Sequence, residues 1–147
     1  MGAHLAPGSA GSIAAAGAGP GRGAARRVEL IEALLADDIV VADGRTPEQY
    51  AKYTIPGAIN LPFTETELAL RTLGCRRTED GWDCAAAHKV AMFCNGVWCG
   101  QSPAAIRKMT GAGFPPDRIL YYRNGMQGWL LQGLNVWTPG LAACFHI

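Results

Sequence analysis

Four short apolar runs, each set between helix-forming stretches, constrain this chain more than any other feature. Ile39-Val40-Val41-Ala42 is β-branched, ends at Asp43 and reads as a buried parallel strand. Ala58-Ile59-Asn60-Leu61, Lys89-Val90-Ala91-Met92-Phe93 and Arg118-Ile119-Leu120-Tyr121-Tyr122 are the other strand candidates. Before the first run, Val28, Leu30, Ile31, Leu34 and Leu35 recur at helical spacing. Thr46-Pro47-Glu48 starts a short helix, with Thr as N-cap and Pro in the first turn, that gives way before the turn Ile55-Pro56-Gly57. Residues 64–73 read as helix, as do 102–110 and 126–132, and each stops at a glycine. Residues 75–87 read as polar and irregular. Strand alternating with helix predicts an α/β fold, a parallel sheet with helices on both faces.

The chain has 147 residues, enough for one domain. Hydrophobic residues at 49% against 17% charged residues fit a globular core. A net charge of +1 gives no global pull toward nucleic acid or an anionic membrane, and no apolar stretch is long enough to span a bilayer. Composition changes near residue 26. Of residues 2–25, 20 are Gly, Ala, Pro or Ser, with little side chain to bury and much backbone entropy to lose. Residues 1–25 therefore read as a flexible Gly/Ala-rich tail or an imperfect leader, 26–138 as the domain and 139–147 as a C-terminal tail.

Ligands of open α/β sheets bind beyond the carboxyl ends of the strands. Two segments occupy that position. One is Asp43-Gly44-Arg45. The other is Cys94-Asn95-Gly96-Val97-Trp98-Cys99-Gly100-Gln101-Ser102, between a strand and a helix start. A cysteine ending a strand is held rigidly, and the next helix turns its N-terminal N–H groups back toward it. That pattern predicts a lowered pKa and a nucleophilic Cys94. Position alone fits a packed cysteine as well.

Several blocks, in order, then weigh on the choice. Asp43-Gly44-Arg45-Thr46-Pro47-Glu48-Gln49-Tyr50, Ile55-Pro56-Gly57-Ala58-Ile59-Asn60-Leu61-Pro62, the Phe93-Cys94 strand end with Ser102-Pro103-Ala104-Ala105, and Asn124-Gly125-Met126-Gln127-Gly128-Trp129 resemble the rhodanese-like sulfurtransferase family. The likeness covers roughly residues 28–137, and the loop looks like that of a bacterial subgroup of single-domain members. The resemblance implies a parallel sheet of about five strands with helices on both faces. It also implies a sulfurtransferase in which the Cys94 thiolate takes a sulfane sulfur from a small donor. The resulting persulfide, cradled by loop N–H groups from Asn95 to Ser102, passes its sulfur to a thiol or protein acceptor. No metal or organic cofactor is implied, and His4, His88 and His146 have no role. Asp43 and Arg45 would support the loop.

The departures are informative. The loop from Cys94 to Ser102 carries no cation, so a sulfonate donor would depend on backbone N–H groups or on Arg45, Arg107 or Arg123. Thr54 stands where the family has His. Gly100 stands where rhodanese-fold phosphatases need Arg. Cys99 is either a small loop residue or a resolving thiol able to attack a persulfide or sulfenate on Cys94. A zinc site on Cys94 and Cys99 lacks a second Cys/His pair. Trp98 either walls the pocket or packs within its loop. Cys75 and Cys84 would suit a hairpin-like loop closed by a disulfide, which favours an oxidising compartment, the periplasm, over the cytoplasm. Cys144 falls in the tail. The alternatives to sulfur transfer are a thiol redox protein using Cys94 and Cys99, and a non-catalytic binding or regulatory module.

Overall fold

The computed structural model describes residues 27–144, with side chains as far as residue 141. The segment 1–25, His4, His146 and the Cys144 side chain lie outside the described residues.

The elements in chain order are α1 (Arg27–Leu35), β1 (Ile39–Asp43), α2 (Pro47–Lys52), β2 (Ile59–Asn60), α3 (Thr66–Thr72), β3 (Arg76–Thr78), β4 (Gly81–Asp83), β5 (Lys89–Phe93), α4 (Gln101–Gly111), β6 (Ile119–Tyr122), α5 (Gly125–Leu131) and α6 (Pro139–Cys144). A 3-10 turn at Pro116–Arg118 leads into β6. The main sheet has four parallel strands in the order β2-β1-β5-β6, one fewer than the resemblance implied. The two remaining strands form a separate antiparallel hairpin.

Strand alternation sorts the core into two layers. Val90, Met92, Ile119 and Tyr121 face one side, where Leu70, Leu73, Ile106, Met109 and Phe114 cover them. Ala91, Phe93, Leu120 and Tyr122 face the other, against Leu30, Ile55, Met126 and Trp129. The sheet is thus buried on both faces, which is why its strands read as continuous apolar runs. No helix among the described residues is long and apolar enough to cross a membrane.

Two expectations need correction. Residues 75–87 are not irregular throughout. Arg76↔Asp83, Arg77↔Trp82 and Thr78↔Gly81 pair across the hairpin, and a Cys75–Cys84 disulfide joins its ends. The Trp82 ring lies under both Arg71 and Arg77, at 5.4 and 5.1 Å, and Arg118 Nη1 donates to the carbonyls of Cys84, Ala85 and Ala87. Covalent closure and these long side chains supply what an apolar alternation would otherwise give. Replacing both Cys75 and Cys84 by serine is expected to cost about 2–3 kcal/mol, the entropy of a short closed loop. Denaturant midpoints of the oxidised protein and the double variant measure it, and equal midpoints would show that the crosslink adds nothing.

The second correction concerns 139–147, read as a tail. Pro139–Cys144 is helical, and Gly140 lies so close to Ala51 of α2 that a Cβ there would sit 3.0 Å from the Ala51 carbonyl. Just before it, Thr54 and Trp137 exchange both backbone hydrogen bonds, at 2.7 and 2.9 Å. The C-terminal stretch is therefore fastened beside β1 and α2.

Candidate active site

β1 and β5 are neighbours in register, Asp43 opposite Phe93, so both candidate segments leave the sheet at the same edge. Asp43 and Arg45 are fully buried there and form an ion pair at 2.8 Å. Arg45 Nε also donates to Asp43 Oδ1 at 3.0 Å, and the Arg45 backbone N–H donates to the same oxygen at 2.9 Å. Thr54 Oγ1 donates to Asp43 Oδ2 at 2.8 Å. The remaining guanidinium capacity goes to the Tyr53 carbonyl and, at 3.4 Å, to Asn95 Oδ1. Arg45 is thereby committed to the loop base and does not present a free charge to a donor.

Cys94 follows β5 directly and is buried. Its Sγ accepts the Ser102 N–H of α4 at 3.4 Å and donates to the Cys99 carbonyl at 3.7 Å. The Ser102 hydroxyl is fully buried and has no hydrogen-bond partner among the described residues. One backbone N–H, that of Ser102, reaches Sγ among the described residues. Burial pushes the Cys94 thiol up, and Cys99 adds to this, against a smaller lowering by Ser102. The expected lowering of Cys94 is therefore overturned. A single helix N–H does not offset desolvation where no cation is free to help.

Cys99 differs. Burial raises its thiol, but hydrogen bonds from the Cys94 side chain, the Asn95 and Gln101 backbones and the Asn95 amide outweigh that and lower it. Asn95 Nδ2 lies 3.8 Å from Cys99 Sγ, and Cys99 Sγ lies 3.3 Å from Gln101 Oε1. Gln101 in turn donates to Gln49 Oε1 at 3.4 Å. Gln49 belongs to the capping box of α2, with Thr46. Cys94 and Cys99 are both free and buried.

The rest of the loop is disposed unevenly. Gly96 is buried, while Val97 and Trp98 are exposed, Trp98 by 69%. Its ring nevertheless lies against its own loop, where a Cβ on Gly96 would sit 3.0 Å from the indole nitrogen. Its indole N–H donates to Gln127 Oε1 at 3.1 Å, pinning the loop tip to α5. The start of α5 fastens the loop base, because the Met126 and Gln127 N–H groups donate to the Cys94 and Asn95 carbonyls at 2.9 and 2.8 Å. A cavity of about 290 Å³ opens on the outer flank of the loop, between Arg27, Val97, Tyr122 and Gln127; Cys94 does not line it. Arg107 is exposed on α4, and Arg123 is exposed just after β6. His88 is exposed.

Several contributors escaped sequence reasoning. Thr54 caps the Asp43 carboxylate from eleven residues away, and Gln49 and Gln127 hold the loop through side-chain amides. Nothing local in the sequence signals such contacts. Tyr121 was visible only as a strand residue. Burial pushes its hydroxyl up to about 12, the charges of Cys94 and Cys99 add to this, and Arg123 opposes it. A folded Tyr121 keeps its proton where an unfolded tyrosine, at 10.0, loses it. The native state then binds more protons, so stability falls as pH rises from 10.0 toward about 12. Burial raises Tyr50 and Tyr122 too, and raised Cys94 acts in the same sense from 9.0 upward. Urea midpoints taken across this range should decline steadily; a flat profile would contradict the shifts.

The sequence profile of the Rhodanese-like domain matches residues 27–132. The HTH-type transcriptional regulator Rv0324 of Mycobacterium tuberculosis is 32% identical over 110 residues, which are 75% of this chain and 42% of that protein. This chain therefore spans less than half the length of that curated relative. Thiosulfate sulfurtransferase from Pseudomonas aeruginosa superposes with a TM-score of 0.59 at 24% identity, over 89% of this chain and 23% of that one. A rhodanese-related protein from Thermoplasma volcanium gives 0.56 at 23% identity, over 78% of this chain and 97% of that one. At such identities the structures speak for the fold, whereas the profile covers most of the chain. The fold and the profile agree, and the chain belongs to the rhodanese-like domain family.

Proposed function

We propose that the protein is a sulfurtransferase with Cys94 as its nucleophile. The observation that carries this is a free, buried thiol at the carboxyl end of β5, met by the backbone N–H of Ser102 at the start of α4. Burial excludes water from a persulfide, and the Ser102 N–H favours the anion. The Cys94 proton passes to solvent, and the thiolate attacks the outer sulfur of a small sulfane donor. The bond from that sulfur to the donor breaks, leaving a Cys94 persulfide and, from a thiosulfonate, a sulfinate. A thiol, small or protein-borne, then takes the sulfur. The raised Cys94 thiol means that loading quickens as pH rises toward and beyond 9.0. With Arg45 committed to Asp43, a doubly charged donor gains no direct guanidinium contact at the loop base.

Intact mass after exposure to benzenethiosulfonate tests the proposal. Wild type should take up a sulfane sulfur, detected on Cys94 or as sulfide released with cysteine oxidation, and Cys94→Ser should do neither. Failure of wild type to take up sulfur at any pH from 7 to 10 would sink it.

A second reading has its own support. The 32% identical relative is a transcriptional regulator of which this chain matches 42%, so a regulatory module is a real competitor. That reading predicts a fold insensitive to Cys94→Ser and no sulfur uptake.

A further inference from the structure

Cys99 is the group that the transfer chemistry leaves unused, and the structure spends considerable polar contact on it. The buried Asp43–Arg45 pair reaches Asn95 Oδ1, and the other end of the same amide lies over Cys99 Sγ. Gln101, bonded to both Gln49 and the Asn95 amide, places its Oε1 3.3 Å from the same sulfur. A small residue that merely filled the loop would need none of these partners. Cys94 and Cys99 are the two buried thiols of one loop, and Cys94 Sγ donates to the Cys99 carbonyl at 3.7 Å.

We propose that Cys99 is an internal acceptor that discharges the Cys94 persulfide as hydrosulfide, so that the domain reduces sulfane sulfur rather than only carrying it. The proposal rests on persulfide formation at Cys94. The step balances as follows. The Cys94 persulfide anion takes the Cys99 proton. The Cys99 thiolate attacks the inner sulfur, Cys94 Sγ. An Sγ–Sγ bond forms, the bond from Cys94 Sγ to the outer sulfur breaks, and hydrosulfide leaves with the electron pair. The outer sulfur gains two electrons, and the two thiols lose them in forming a disulfide. A dithiol reductant restores the pair and closes the cycle. The lowered Cys99 thiol suits the attacking role, and hydrosulfide is a good leaving group at neutral pH.

The experiment is a single turnover without added thiol. Reduced wild type, Cys99→Ser and Cys94→Ser receive one equivalent of benzenethiosulfonate. Released sulfide, intact mass and cysteine peptides are then followed. Wild type should release close to one equivalent of sulfide and yield a Cys94–Cys99 peptide disulfide. Cys99→Ser should hold its sulfur on Cys94 until a dithiol is added, with a lifetime on the order of a hundredfold longer, as expected when an intramolecular partner is removed. Cys94→Ser reports any background from Cys75 and Cys84. Wild type that keeps the sulfur, on Cys94 or on Cys99, overturns the proposal while leaving sulfur transfer intact. If neither wild type nor Cys99→Ser loads, the sulfurtransferase reading falls and this one with it. The wild-type result decides the matter even if the Cys99 variant folds poorly.

Discussion

Replacing Asp43 by alanine should destabilise the fold by about 3–5 kcal/mol, the cost of leaving a buried charge without its partner. Arg45 has 2% of its surface exposed and cannot turn its guanidinium out to water without opening the loop base. Asp43 meets that charge at 2.8 Å and accepts four further hydrogen bonds from Arg45 and Thr54. Alanine removes every one of these acceptors together. For a domain of this size the melting temperature should fall by on the order of 10 °C. The compensated variant Asp43→Leu/Arg45→Met should recover most of the loss, because the charge and its desolvation cost disappear together. Thermal and urea unfolding of the three proteins measure both effects. A loss below about 1 kcal/mol for Asp43→Ala, within the range of an exposed pair, would show that Arg45 finds other compensation.

The same variant should reach the site, since Arg45 also orients Asn95 and Asn95 lies over Cys99. The ion pair therefore links stability to chemistry. Its two members were legible as a candidate site because they close an apolar run, where sheets of this kind place their sites, and the family resemblance implied their supporting role. Their partners were not. Thr54 joins Asp43 only because α2 turns the chain back between β1 and β2, and no periodicity encodes that return.

The strands that reach the sequence surface most clearly are those buried on both faces. Lys89–Phe93 needs no tertiary information to be recognised, because four consecutive apolar residues, Val90 to Phe93, have both layers to fill. β3 and β4 are different. Of Arg76-Arg77-Thr78 and Gly81-Trp82-Asp83 only Trp82 packs against the core, and a crosslink and guanidinium–indole contacts from the cross-strand Arg77 and from Arg71 help fix them. α6 is six residues long and exists by leaning on Ala51, so its own residues carry little helical signal. The Cys94 thiol illustrates a competition of magnitudes. A helix start behind a strand-end cysteine was correctly located, but its benefit reaches the sulfur through the Ser102 residue alone, and burial outweighs it. Burial is a tertiary quantity, and it set the sign.

Gly125→Ala should cost transfer activity about a hundredfold while leaving a folded protein, because the substitution acts on the backbone that positions Cys94. Gly125 has φ +57°, a conformation that costs a residue with a Cβ roughly 1–2 kcal/mol. Space matters more. A Cβ there would lie 2.4 Å from the Cys94 carbonyl oxygen and 2.8 Å from Asn95 C and Gly96 N. These are backbone atoms, so they cannot rotate away as a side chain would. The loop must retreat from α5, and the Met126 and Gln127 hydrogen bonds to Cys94 and Asn95 lengthen or break. Cys94 would then move relative to Ser102, and a displacement of about 1 Å at reacting atoms suffices for a hundredfold loss. Gly133→Ala is the control. Its φ is +69°, but nothing lies within 4 Å of the added carbon. It should lose about 1 kcal/mol of stability and keep its activity. Sulfur loading rates at matched folded fractions separate the two glycines. If both variants load equally fast, the approach of α5 to the Cys94 backbone does not position the nucleophile.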